Sequence, residues 1–195
     1  MDAPEARPKT ALGFLTVVDH PQYGLFGGYL LLSTAGRPLE FHCTAPIKPN
    51  RAQQILYGPT LESFLYGEQI GQTLLEKAKI EPSLVCTDRE PMLAVCEHVR
   101  LPVVLVLTAD SPAPDRDGKS LRLDPDRLAV GNLRVFQVGR NRLAVPEQLD
   151  GVCRRMTERL GRLVESFDLL EPFTRIREAI EEAQRVVRLP TVRAA

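Results

Sequence analysis

Two short polar clusters carry the residue types from which a site could be built. Thr87, Asp88 and Arg89 close one apolar run, and Thr108, Asp110 and Ser111 close another. If the two runs pair as parallel strands, both clusters reach one carboxyl edge, where open α/β sheets gather their ligands. Two carboxylates flanked by hydroxyls at such an edge could hold Mg²⁺ or orient a polar ligand. Each also has a structural use. Asp88 is suited to cap the helix that follows it, and Asp110 precedes a proline-rich turn where Asp is favoured.

Other motif-like stretches lack the context their chemistry needs. Ala113-Pro-Asp-Arg-Asp-Gly-Lys-Ser120 has the outline of a P-loop. Asp115 and Asp117 would set negative charge beside the phosphates, and the following Leu121-Arg-Leu-Asp-Pro125 reads as strand and turn instead of helix. The same stretch puts Asp115, Asp117, Gly118 and Asp124 at calcium-loop spacing, with no flanking helices. Cys96 and His98 diverge on a helix, and His42 and Cys43 on a strand, so neither pair, even with Cys86, builds a tetrahedral zinc site. No metal and no cofactor is expected. Arg155, Arg159 and Arg162 cluster on one helix face, but a nucleic-acid surface needs more basic residues and interleaved aromatics. Glu178, Glu181 and Glu182 on the next helix offer them charge partners.

The elements that position these residues follow from periodicity. Ser83–Thr87 and Leu101–Leu107 are strand-like runs, and Met92–Val99 supplies about two helical turns between them, giving a parallel βαβ unit. From Leu12 to Thr44 the pattern is an antiparallel meander of three strands, turning at His20–Gly24 and Ala35–Pro38. Gly27-Gly28 marks a bulge or a close backbone approach. Asn50 caps a short helix through Leu56, Gly58-Pro59 breaks it, and Thr60 caps a longer helix to about Lys79. Gly67 and Gly71 share one face of that helix, which implies close packing or a kink. Short strands follow at about 121–123, 133–138 and 142–145, with a hairpin turn at Gly139–Asn141.

Two apolar stripes end the chain. Leu149, Val152, Met156, Leu160, Leu163 and Phe167 recur at helical spacing, and after Pro172 so do Phe173, Ile176, Ile180, Ala183 and Val187. They predict an αα-hairpin. The fold class is α/β, with α+β as the alternative: a mixed sheet with an N-terminal antiparallel meander, one central βαβ unit and a C-terminal helical hairpin. Residues 12–145 form the α/β domain and 146–189 a helical arm, between flexible tails at 1–11 and 190–195.

Composition narrows the function classes. In 195 residues, 25 basic side chains balance 25 acidic ones, so no global charge draws the chain to nucleic acid or an anionic membrane. The first 115 residues carry about −4 and the rest about +4, a modest dipole suited to docking. The cysteines Cys43, Cys86, Cys96 and Cys153 form no CxxC pair and are expected to be unpaired, with Cys86 and Cys96 buried, as in a reducing cytoplasm. No apolar run is long enough for a membrane span, and no signal peptide is expected.

The function expected from these features is a non-enzymatic cytoplasmic assembly or adaptor subunit. It would act through a protein partner or self-association at Leu149, Met156, Leu160, Leu163, Phe167, Phe173, Ile176 and Ile180. The alternative is a small-ligand or Mg²⁺-dependent enzyme at the Asp88/Asp110 edge, and the third a nucleic-acid-binding module. Neither a membrane nor a nucleic acid is expected as a partner.

Overall fold

A computed structural model describes residues 10–109, 111, 120–121, 132–152, 154, 155, 158, 161 and 167–188. Strands β1 (Ala11–His20), β2 (Gly24–Ser33) and β3 (Pro38–Cys43) form the expected antiparallel meander. β4 (Leu84–Thr87) pairs in parallel with β1, and β5 (Val103–Leu107) in parallel with β4. Beyond β5 the sheet turns antiparallel through β8 (Asn141–Pro146), β7 (Leu133–Val138) and β6 (Ser120–Leu121). The result is one mixed sheet of eight strands in the order β3-β2-β1-β4-β5-β8-β7-β6. The chain is α/β, with its βαβ unit at the centre of that sheet. β1 adds a third parallel strand, so the carboxyl ends at His20, Thr87 and Leu107 share one edge.

The helices differ from expectation in winding more than in place. α1 (Arg51–Tyr57) starts at a full capping box. The Asn50 side chain accepts the Gln53 N–H at 2.9 Å, and the Gln53 side chain accepts the Asn50 N–H at 3.0 Å. α2 runs without a break through Leu61–Ser63, Phe64–Gln72 and Thr73–Lys77. Thr60 does not cap it, since its hydroxyl donates backward to the Tyr57 carbonyl at 2.9 Å. The middle of α2 is wound as a π-helix, and α3 (Glu90–Glu97), the βαβ connection, as a 3₁₀-helix with Pro91 in its first turn. Gly67 and Gly71 are where these two meet. A Cβ at Gly67 would lie 2.8 Å from Ala94 Cβ, and one at Gly71 2.8 Å from Met92 Sδ. Close packing is therefore what offsets their poor helix propensity.

Gly27 and Gly28 do the same for the sheet. Successive strand residues face opposite sides. A Cβ at Gly27 would lie 2.2 Å from Ile70 Cγ2 of α2, and one at Gly28 2.2 Å from Ile176 Cγ2 of the C-terminal helix α4 (Glu171–Arg188). Each glycine admits one helix onto one face. One core gathers Leu15, Val17, Tyr29, Ile70, Met92 and Leu93; the other gathers Phe14, Leu30, Cys86, Val104, Phe173 and Ile176.

The second core corrects the expectation of a docking arm. Phe173, Ile176 and Ile180 are buried against the chain's own sheet, and the Phe173 ring meets Phe14 edge to face at 5.6 Å. Leu149 and Phe167 are half-buried against the same cluster. Met156, Leu160 and Leu163 lie outside the described residues, as do both expected tails beyond residue 10 and residue 188. The buried Asn141 ties β8 to the entry of α4: its side chain donates to the Phe167 carbonyl at 2.9 Å and accepts from the Leu169 N–H at 3.1 Å.

Cys43, Cys86 and Cys96 take part in no disulfide. Cys86 is buried as expected, Cys96 only half-buried, and Cys153 lies outside the described residues. Burial pushes the Cys86 thiol up to about 12. In a Cys153→Ser background a thiol reagent at neutral pH should therefore modify exposed Cys43 within minutes and leave Cys86 untouched until denaturant is added. Mass spectrometry of the modified peptides would show this, and rapid labelling of Cys86 in the folded chain would contradict its place in the core. Among the described residues no helix is long and apolar enough to cross a membrane.

Candidate active site

The carboxyl edge of β1 and β4 is built by register. Leu15 pairs with Thr87, so the next residues along, Thr16 and Asp88, stand side by side. The Thr16 hydroxyl donates to Asp88 Oδ1 at 2.6 Å. Asp88 Oδ2 accepts from Nη2 of Arg177, which reaches across from α4. Asp88 is therefore no helix cap. α3 begins after Arg89 with no side-chain cap at all, because the Asp88 carboxylate is turned to the α4 face.

The other expected edge residues hold local turns. Thr87 is buried, and its hydroxyl accepts the Arg89 N–H at 3.1 Å. After β5, the Ser111 hydroxyl accepts the Thr108 N–H at 2.9 Å and lies 3.2 Å from the Thr108 hydroxyl. Asp110 lies outside the described residues, so the expected Asp88/Asp110 pairing has no counterpart among them.

Three further residues complete the edge, and sequence patterning gave no signal for them. Asp19 sits at the exposed end of β1, Glu62 on the first turn of α2, and Tyr66 one turn further along. The Tyr66 phenol is raised above its ordinary value, first by burial and then by the Glu62 carboxylate. Arg89 pulls it down, while Asp19 and Asp88 push it up. The phenol thus feels three carboxylates and a guanidinium, of which Asp88 is turned to the α4 face, and it stays protonated and able to donate at neutral pH. Asp19, Glu62 and Tyr66 line a cleft of 390 Å³ whose other walls include Leu25, Pro59, Leu61 and Leu65. The spacing from Asp19 to Glu62 in sequence is meaningless until β1 and α2 are placed together.

Asp88 is a poor metal ligand as it stands, because both its oxygens are already engaged. Among the described residues no three His, Cys, Asp or Glu side chains come close enough to share one ion. Asp19 and Glu62 differ: both are exposed, and neither has an ion-pair partner among the described residues.

No protein-family model and no curated protein matches the chain. Among solved structures the resemblance is to endonuclease V. Human ENDOV matches at a TM-score of 0.47 with 14% identity, over 90% of this chain and 86% of that one. Endonuclease V of Ciona intestinalis, in complex with a DNA containing an inosine, matches at 0.36 to 0.37 with 11% identity over 70% of this chain. An Argonaute of Marinitoga piezophila with guide RNA matches at 0.29 with 9% identity, over 82% of this chain but 26% of that one. The adaptor function is accordingly corrected: among the described residues it relied on, Phe173, Ile176 and Ile180 are buried in the chain's own core. The exclusion of nucleic acid is withdrawn as well; the two Ciona endonuclease V structures contain DNA.

Proposed function

We propose that this chain is an enzyme acting on nucleic acid at the carboxyl edge of β1 and β4. One observation carries it. Asp19 and Glu62, from two separate elements, line one cleft with Tyr66, and Asp88 and Arg89 at the end of β4 are near enough to act on its phenol electrostatically. Such an edge suits a phosphodiester: guanidinium groups for its oxygens, carboxylates for a cation and for water, and a phenol to donate a hydrogen bond. It offers little to an apolar ligand. Mg²⁺ commonly keeps several waters and is held by one or two carboxylates together with substrate phosphates, so a preformed cage of three is not required. Asp19 and Glu62 are the open carboxylates that fit that role. The thiols of Cys43 and Cys86, neither in a disulfide, support a cytoplasmic setting.

The test is cleavage of labelled DNA and RNA oligonucleotides, single-stranded and duplex, with and without inosine, in Mg²⁺ or Mn²⁺. Asp19→Asn and Glu62→Gln should each lower the rate by about a hundredfold while leaving the melting temperature in place. Binding without cleavage in every condition would reduce the chain to a nucleic-acid-binding module. Absence of both would remove the function proposed here.

A further inference from the structure

A second hollow lies behind the cleft. Successive residues of β2 face opposite sides of the sheet, so Leu25 lines the cleft while Phe26 lines a separate pocket of 340 Å³ on the α4 face. That volume is at the low end of the roughly 300–1,000 Å³ of ligand pockets, enough for one ring system but not for a large cofactor. Buried Phe26 and Ile180 and exposed Tyr23 give it apolar walls, and among the described residues no lysine, arginine, aspartate or glutamate lines it. The Tyr23 wall is held in place. His20 Nδ1 accepts the Gln22 N–H at 3.1 Å and the Tyr23 N–H at 3.3 Å, and the two rings lie 4.7 Å apart. Two polar side chains also line the pocket. The Thr44 hydroxyl accepts the Gly27 N–H at 2.9 Å, which leaves its proton to donate. The half-buried Gln184 amide makes no hydrogen bond to another described residue.

We infer that this pocket binds the adenine base of a nucleotide. A base is flat and uncharged, and its faces stack on aromatic side chains such as Tyr23 and Phe26. The Gln184 amide presents a donor beside an acceptor, which matches N6 and N7 of adenine and mismatches the paired acceptors of guanine. An aliphatic chain would bury that amide and the Thr44 proton without partners, and an anion would find no cation. The inference goes beyond the nucleic-acid function proposed above and stands without it. The adenine can come from a strand held in the cleft, which would pass over the His20–Gly24 turn, or from a free nucleotide.

The experiment uses the full chain and reads Cys43, whose exposed thiol lines the same pocket, by its rate of alkylation with iodoacetamide. Peptide mass spectrometry follows it, with Cys96 as the internal control. Adenosine monophosphate at millimolar concentration should slow the reaction at Cys43, and guanosine monophosphate should need about tenfold more for the same protection. Gln184→Leu, which keeps the shape and loses the amide, should erase that preference, and Tyr23→Ala should erase the protection. Single-stranded oligoadenylate distinguishes the two sources. Protection at or below the mononucleotide concentration places the adenine in a bound strand. Weaker protection by the strand makes the pocket a site for a free nucleotide, even if the chain cleaves nothing. Either result retains the site. Unchanged alkylation with both ligands, equal protection by the two mononucleotides, or a preference that survives Gln184→Leu overturns the inference. Protection by hexanol and by neither nucleotide identifies an aliphatic site and overturns it too.

Discussion

Ile176→Asp should leave the chain unfolded, or close to it, at ordinary temperature. Ile176 is fully buried beneath the sheet, with its Cγ2 over Gly28 where no Cβ could fit. Deleting a buried Ile side chain costs about 2–5 kcal/mol through lost burial and the cavity left behind. Placing a carboxylate there adds several kcal/mol more, because Ile176 packs among the apolar side chains of that cluster, which give a charge nothing to pair with. Native domains are stable by only about 5–15 kcal/mol, so the sum removes most or all of the margin. Circular dichroism melts and light scattering on the same sample check this. The expected result is a collapsed melting temperature. A folded variant with an altered mass would show that α4 is a docking surface after all. Ile180→Asp, one turn along the same stripe, should behave likewise.

α4 also shows what could be read from the chain and what could not. The spacing of Phe173, Ile176 and Ile180 specifies an amphipathic helix, and one forms there. Periodicity says which face is apolar, but not what covers it. The answer lay in Gly28, a residue with no side chain to contribute a pattern. The parallel pairing of β4 with β5 followed from two β-branched runs of the right length and spacing. The parallel pairing of β1 with β4 did not, since paired residues such as Leu15 and Thr87 lie 72 positions apart and nothing local encodes the contact. For the same reason Asp88 was legible as a site residue, while its partners Thr16 and Arg177 were not. The Thr16 contact depends on strand register, and the Arg177 contact on α4 crossing the sheet. Asp88 stands one residue before the N-cap position, which Arg89 takes, although its sequence context favours capping. A part-buried ion pair across the fold claims its carboxylate instead.

Gly67→Val should destabilise the protein by about 3 kcal/mol and disturb the cleft at the same time. A Cβ at residue 67 would stand 2.8 Å from Ala94 Cβ and 3.0 Å from both the Ala94 carbonyl carbon and the Val95 nitrogen. Two of those three atoms are backbone, so no rotamer change in α3 relieves the clash. The gain in helix propensity over Gly, at most about 1 kcal/mol, cannot offset it. α2 and α3 must therefore separate. Tyr66 is the residue before Gly67, and Glu62 lies one turn earlier on the same helix, so both shift relative to Asp88 and Arg89 at the end of β4. Chemical denaturation measures the first effect. The second is read from the phenol, because a Tyr66 freed from burial and drawn away from the Asp19 and Asp88 carboxylates should titrate nearer its ordinary value. Ultraviolet difference titration in the absence of denaturant, with Tyr66→Phe as the reference for assignment, would show that fall. A Gly67→Val variant with unchanged stability would mean that α2 and α3 do not pack at van der Waals distance. The elements holding Glu62 and Tyr66 at the carboxyl edge would then have to be placed anew.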